Sequence, residues 1–466
     1  MTVKLSPPGP VSKLPLGYSN VIKTIRDPLK FFTEVSKYGD VARYTVSGHE
    51  VFVISHPDYV RDVLVTHQRN FVKNTSTMWL KHLMGDGLLT TEGEVHLRQR
   101  RLAQPAFHKK RIAAYADVMT SYSLRRLEGW RDGQHLDIAD EMARLTLEIV
   151  AKALFDADVT IDNDSRLGDA LHWLQQWSSR ALLPVQLAEL LERLPVPTTR
   201  RFKKAVDYIS TTIYAMIKER RESGVDRGDL LSMLVAVRDV EGDNSRMSDT
   251  QIHDEIMTFL MAGHETTALA FTWSWYLLSQ HPAVEAKLHA ELDSVLAGRA
   301  PTMEDIPRLR YTENVFTEVM RLYPPAWITS RTLVQDYKMG EYVLPAKTDV
   351  ILSPYVMHRD PRYFPNPERF EPERWTPEFK AQLPKMAYFP FGGGPHLCIG
   401  EPFAWMEGVL VLATIAQHWQ MRHVSDHVVR PEPLITLRSK NGMPMILQRR
   451  EGSQAAPVML AEEAKV

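Results

Sequence analysis

Cysteine is almost absent from this chain: among 466 residues there is one, Cys398. A single thiol excludes an internal disulfide, a cysteine-only zinc site and an all-cysteine iron–sulfur cluster, and it fits a reducing, intracellular setting. Net charge is equally scarce. Fifty-six Lys and Arg stand against 57 Asp and Glu, a formal net of -1, so neither nucleic acid nor an anionic membrane is indicated as a bulk partner. Met1 to Gly17 is polar and proline-rich, with no apolar run near the ~20 residues needed to span a bilayer and no signal-peptide core. These absences predict a cytoplasmic protein with no transmembrane anchor. The length would allow two or three average domains.

What is present is organised around the stretch from Phe391 to Gly400, which holds the cysteine among four glycines. Such a loop suits neither helix nor strand. A mostly apolar run follows from Pro402 to about Trp419 and reads as a helix, with proline in its first turn. The sulfur therefore precedes a helix N-terminus, where free N–H groups and the dipole favour a thiolate. Three roles stay open for it: an inert buried thiol, a nucleophile with His396 as base, or an axial ligand to haem iron.

A second stretch breaks local rules. Ser248 to Gln251 has capping-box form, and helical patterning then continues to Gln280, where His281-Pro282 stops it. About thirty helical residues give a rod of roughly 45–50 Å. Its centre, Ala262-Gly-His-Glu-Thr-Thr267, puts glycine, a carboxylate and two threonines among apolar Ile256, Phe259, Leu260, Leu269, Phe271 and Trp273. These are poor interior helix residues, and rules broken inside an otherwise consistent element mark function.

Elsewhere the pattern predicts a helix over Leu29–Tyr38 and strands over Val41–Val46 and Val51–Ser55. A helix follows from Pro57 to about Thr66, then a long irregular segment over residues 70–92. Lys73 and Lys81 in that segment read as solvent-exposed. Residues 112–240 read as mostly helical, with breaks near Gly133, Asp162–Asn163, Pro184, Pro195–Pro197 and Gly224–Gly228. Trp173, Trp177, Leu182, Leu183 and Leu187 form an apolar stripe there. A helix is expected from Pro307 to Leu322, with Glu318 and Arg321 three apart on one face, and a strand over Pro433–Leu437. The tail from Gly452 reads as disordered.

The pattern Phe391-x-x-Gly394-x-x-x-Cys398-x-Gly400 resembles the haem-binding loop of the cytochrome P450 family, and four further patterns match that family in order along nearly the whole chain. The resemblance implies a mainly α fold with small β-sheets, one haem domain over residues 1–466, and flexible ends at 1–20 and 452–466. Haem b would lie between the long central helix and the C-terminal helix, with Cys398 as axial ligand and Phe391, Gly392 and Gly400 shaping the loop. His96, Arg100, Arg331 and His396 would hold the propionates. Ala262 and Gly263 would leave room for dioxygen, Thr266 would hold it, and Glu265 would pass protons inward. Glu318, Arg321 and Arg374 would form a buried ionic brace.

The same resemblance implies a monooxygenase acting on a lipophilic substrate such as a fatty acid, terpenoid or steroid. The substrate would be lined by Trp79, Leu83, Met84, Leu89 and Phe259, by Ala326, Trp327 and Ile328, and by Ile435 and Thr436. With no segment for a fused reductase, electrons from NAD(P)H would arrive through a separate ferredoxin or flavodoxin, docking on basic Arg98, Arg101, Lys109 and Lys110. A monomer is expected. Two other classes stay open: a peroxide-using peroxygenase or isomerase of the same fold, and a non-enzymatic haem sensor.

Overall fold

A helix of 32 residues, Asp249–Gln280, runs through the molecule and positions the rest. Its start is capped reciprocally: the Gln251 N–H donates to Ser248 Oγ at 3.2 Å, and the Ser248 N–H donates to Gln251 Oε1 at 3.1 Å. Apolar residues surround it on all sides, as expected of a helix buried on every face; Ile252, Ile256, Phe271, Trp273 and Trp275 are all in the core. The helix Ile138–Phe155 lies along it. The Thr146 hydroxyl donates to His264 O at 2.9 Å, and a Cβ on Gly263 would touch Val150 at 3.5 Å.

The helices Arg310–Leu322 and Glu401–His418 also pack against the central helix and against each other. Their mutual crossing needs Gly408, because a Cβ there would fall 2.4 Å from the Phe316 ring. The structure, a computed structural model, describes residues 5–157, 170, 173–174, 197–239, 241–242 and 244–450, without the side chains of Lys109 and Lys110. Asp162–Asn163, Trp177, Leu182, Leu183, Pro184, Leu187, Pro195 and the tail from Gly452 lie outside the described residues.

A five-stranded sheet flanks the helices, in the order Val41–Val46, His49–Ile54, Asp349–Leu352, Thr329–Leu333, Phe71–Lys73. The second and third strands are parallel and the other pairs antiparallel. This sheet sets Lys73 opposite Arg331. Three smaller sheets complete the β structure of the described residues.

Several boundaries differ from the sequence expectation. The irregular segment 70–92 contains the strand Phe71–Lys73 and two short helices, Thr75–Trp79 and Lys81–Met84. Pro307 lies in a 3-10 segment, Met303–Arg308, and the α-helix begins only at Arg310, beyond the ring that cannot donate. Residues 433–437 form no single strand: Pro431–Pro433 pairs with Leu437–Ser439, and 434–436 is the turn. The arm expected to be flexible is fixed from Pro7 onward. Val41–Val46 is an edge strand whose outward backbone groups need partners, and the arm supplies them: the Arg43 N–H donates to Pro8 O at 2.9 Å, and Asn20 Nδ2 donates to Thr45 O at 3.0 Å.

Candidate active site

The loop before the last helix is built by its own backbone. The Cys398 N–H donates to Phe391 O and the Leu397 N–H to Gly394 O, both at 3.0 Å. Gly394 has φ +65°, and a Cβ there would lie 1.9 Å from Leu64 O, so only glycine lets the loop seat on the Asp62–Thr66 turn. The Cys398 sulfur is densely surrounded by protein, yet its surface is accessible; it faces a space inside the fold. Burial pushes the thiol up, against the Gly400 and Glu401 N–H groups and the Arg100 charge, which favour thiolate. The helix N-terminus alone predicted the opposite net sign; desolvation outweighs it.

Beside the loop stands a chain of titratable groups. The helix Gly93–Ala103 carries His96 and Arg100 on one face. Arg100 Nη1 donates to Leu397 O at 2.6 Å, joining that helix to the cysteine loop. His96 Nε2 lies 3.2 Å from His396 Nδ1, and His396 Nε2 lies 3.2 Å from Glu92 Oε2. Glu92 Oε1 accepts the Lys73 N–H at 2.6 Å, and Lys73 Nζ donates to Thr91 O and Leu88 O. Lys73, read as exposed from sequence, is buried.

Burial lowers Lys73 to about 8, with Glu92 opposing. Burial would raise Glu92, but the bonds from His396 and from the Lys73 N–H hold it near 2. His96 is pushed down to about 3 by burial and by the neighbouring charges of His396 and Lys73. Arg331, on the sheet, is buried and bonded to Ser330 O and Thr329 Oγ1. Sequence reasoning found the two histidines and two arginines. It missed Glu92, which meets His396 of the cysteine loop, and Lys73, whose ammonium folds back on Leu88 O and Thr91 O.

At the middle of the central helix Ala262 is exposed although the helix is otherwise buried. The Thr266 hydroxyl donates to Ala262 O at 2.8 Å, and Thr267 Oγ1 donates to Gly263 O at 3.2 Å. Glu265 accepts from Thr436 Oγ1 at 2.8 Å; burial raises its carboxyl, opposed by that bond and by Arg438. His264 is buried with its ring against Leu260 O, so it serves packing.

The residues expected to line substrate divide into groups. Trp79, Leu83, Met84 and Phe259 belong to the main core, where Phe259 packs on Phe107. Leu89 and Ala326 are exposed. Trp327, expected along the cavity, is packed into the sheet-side core beside Phe32, and its indole N–H donates to Leu434 O at 2.8 Å. With the Leu437 N–H on Pro325 O at 2.9 Å, this knits Pro325–Ile328 to the turn bearing Ile435 and Thr436.

The brace is fully assembled. Glu318 binds Arg321 at 2.8 Å and Arg374 Nε at 2.9 Å, and the Trp375 indole donates to its other oxygen at 2.8 Å. Arg321 also donates to His358 O, Pro367 O and Arg369 O. His358 Nε2 in turn accepts the Phe389 N–H, at the approach to the cysteine loop.

The basic docking rim is not as expected. Arg98 and Arg101 both bind buried Asp239, at 2.9 and 2.6 Å, and Arg101 also lies 3.7 Å from Glu241, so their charge is opposed by two carboxylates; Lys109 and Lys110 have no described side chains. A buried carboxylate shared by two guanidiniums fastens Asp239 to the Gly93–Ala103 helix, and Arg98 also donates to Ser245 Oγ at 2.8 Å.

An accessible sulfur with backbone donors aimed at it, and beside it five cationic or imidazole groups against one carboxylate, is the donor set of a haem-thiolate protein: it suits a thiolate-ligated metal in a macrocycle with two anionic arms. The Cytochrome P450 family profile matches residues 7–444. Cyclooctatin synthase of Streptomyces melanosporofaciens is 40% identical over 91% of this chain and 92% of its own. Cyclooctat-9-en-7-ol 5-monooxygenase of the same organism is 37% identical, covering 86% of each chain. Pentalenene oxygenase of Streptomyces avermitilis is 34% identical over 92% of this chain and 95% of its own. The crystal structure of the cytochrome P450DA heme domain superposes with a TM-score of 0.86 at 26% identity, covering 96% of this chain and 98% of that one. This chain belongs to the cytochrome P450 family, and it is a monooxygenase of that fold.

Proposed function

We propose that this enzyme inserts one atom of O2 into a C–H or C=C bond of a cyclic terpenoid hydrocarbon or alcohol, the second atom leaving as water with two electrons and two protons. Haem b ligated by Cys398 would supply the dioxygen chemistry. Arg100, Arg331, His96 and His396 are the groups to hold its propionates, with Phe391, Gly392 and Gly400 shaping the loop under it. The observation that carries the reading is the pairing of an accessible Cys398 with a raised Glu265 carboxyl beside Thr266. Burial makes this carboxyl hold its proton more readily than a free one, which suits a proton donor, and the adjacent threonine can position it; Ala262 and Gly263 leave the helix surface open there. The names of the bacterial relatives point to terpenoids, and the apolar Ala326, Ile328 and Ile435 suit such a scaffold.

A separate ferredoxin or flavodoxin would deliver the electrons in the cytoplasm. The test is a screen of cyclic terpene hydrocarbons and their alcohols against the haem-loaded protein. Binding should shift the ferric iron toward high spin, and a surrogate ferredoxin and reductase with NAD(P)H should then give a mono-oxygenated product. Spin shifts and product with fatty acids alone would overturn the substrate class, and product from peroxide alone would overturn the electron route.

A further inference from the structure

The helix Tyr18–Arg26 is mounted inside out. An amphipathic helix on a globular protein turns its apolar stripe inward. Here Asn20 is fully buried, its amide bonded to Thr45 O, and the Thr24 hydroxyl donates to Asn20 O. Tyr18, Ile22 and Ile25, spaced four and three apart on one face, point outward, with Ile25 78% exposed. The arm before it continues the pattern. Val11, Leu14 and Leu16 are exposed, and Leu16 is held at φ +52°, a left-handed conformation that branched side chains disfavour. Ser12 Oγ and the Lys13 N–H both bond Ser19 Oγ, which joins arm and helix into one surface.

Charge along this segment is positive up to Asp27, the exposed residue that ends the helix. Residues 1–26 contain four cations and no Asp or Glu, against a chain total of -1. Lys13, Lys23 and Arg26 are exposed. The balance over the whole chain, which pointed away from anionic membranes, conceals this local excess. A second copy of the chain fits poorly, because an isologous contact would set these cations against each other. An apolar stripe with a phenol at its end and cations around it suits the boundary between acyl chains and anionic headgroups. We propose that residues 11–26 dock this protein peripherally on an anionic lipid bilayer, with Tyr18, Ile22 and Ile25 inserted and Lys13, Lys23 and Arg26 on the headgroups. Lipophilic molecules dissolve in the bilayer, so such docking would hold the enzyme where a substrate of the proposed class accumulates; the docking itself does not depend on that reading.

Flotation of the haem-loaded, full-length protein with phosphatidylcholine vesicles, with and without phosphatidylglycerol, tests it. The expected result is flotation with the phosphatidylglycerol vesicles, weakened by salt. Ile22→Ser/Ile25→Ser should bind about tenfold or more weakly, and Lys13→Glu/Lys23→Glu should lose the phosphatidylglycerol preference. Both variants should keep the reduced carbon monoxide spectrum and thermal midpoint of the parent, since these side chains are mostly exposed. No flotation, or flotation unchanged in both variants, would overturn the proposal. So would a dimer in solution that the isoleucine variant disperses while vesicles never bind. Because no substrate is used, a wrong substrate class would leave this result untouched.

Discussion

Thr436 donates its hydroxyl proton to Glu265 across 171 residues of sequence, at 2.8 Å. The turn that carries Thr436 is held to the Pro325–Ile328 segment through Trp327 and Leu437. The carboxyl expected to move protons is thus tied to the two segments expected to touch substrate. A hydroxyl donor favours the charged carboxylate, so its loss should push Glu265 further up. Thr436→Val should lower coupled turnover by about 3–10-fold and strengthen the infrared carbonyl band of protonated Glu265, identified by its absence in Glu265→Gln. Thr436→Ser should restore both. An unchanged carbonyl band in Thr436→Val would dissolve the link.

Thr266 sits one residue further along, bonded in this structure to Ala262 O. Its hydroxyl is free to exchange that carbonyl for a ligand, whereas Thr267 faces Gly263 O and the buried side of the helix. Thr266→Ala should keep haem and substrate binding yet cut product per NAD(P)H by on the order of tenfold, the balance appearing as hydrogen peroxide. Thr267→Ala should change the peroxide fraction little. Equal peroxide yields from the two variants would remove the special role of Thr266.

What was legible in the sequence was local. The capping box of Ser248 and Gln251, the glycine-shaped loop around Cys398 and the three-residue spacing of Glu318 and Arg321 each lie within one turn or loop, where spacing alone sets geometry. Arg374 was reached only through its resemblance to a family motif. Groups whose partners arrive from afar were misread or missed: Lys73 looked exposed, Glu92 went unnoticed, and Arg98 and Arg101 looked free because Asp239 is 138 residues or more away. Trp327 was placed along the cavity by the family resemblance alone, which does not say that its ring packs beside Phe32. Helix Tyr18–Arg26 shows the same limit. Its residues read from sequence as part of a proline-rich arm, and only the structure reveals a helix there with its apolar side facing out.

Glu318 is fully buried and receives Arg321, Arg374 and the Trp375 indole. Replacing it by alanine strands two guanidiniums where water does not reach, which costs ~3–5 kcal/mol. Since Arg321 also holds the carbonyls of His358, Pro367 and Arg369, the segment leading to the cysteine loop should loosen with it. Denaturant unfolding should report the loss, and haem occupancy on purification should fall. By contrast Glu371→Ala, which removes a partly exposed partner of Arg374, should cost under ~1 kcal/mol. Similar costs for both would refute the buried brace as the dominant contact.

Glu407, on the helix that follows the cysteine loop, is fully buried, and among the described residues its carboxylate meets the Thr267 hydroxyl only weakly, with no close hydrogen bond to either oxygen. Burial pushes its carboxyl up to about 8, with Thr267 opposing, so the folded protein carries it neutral at pH 7. The unfolded chain ionises it near 4.5. A folded-state value above the unfolded one means that the contribution is fully present below about pH 4.5 and is lost as pH rises toward 8. That loss is on the order of a few kcal/mol across the window. Glu407→Gln keeps the shape and cannot ionise. Its stability relative to the parent should therefore rise steadily between pH 5 and 8 in denaturant titrations. A constant difference across those pH values would mean that Glu407 is ionised in the fold and has a partner that the structure does not show.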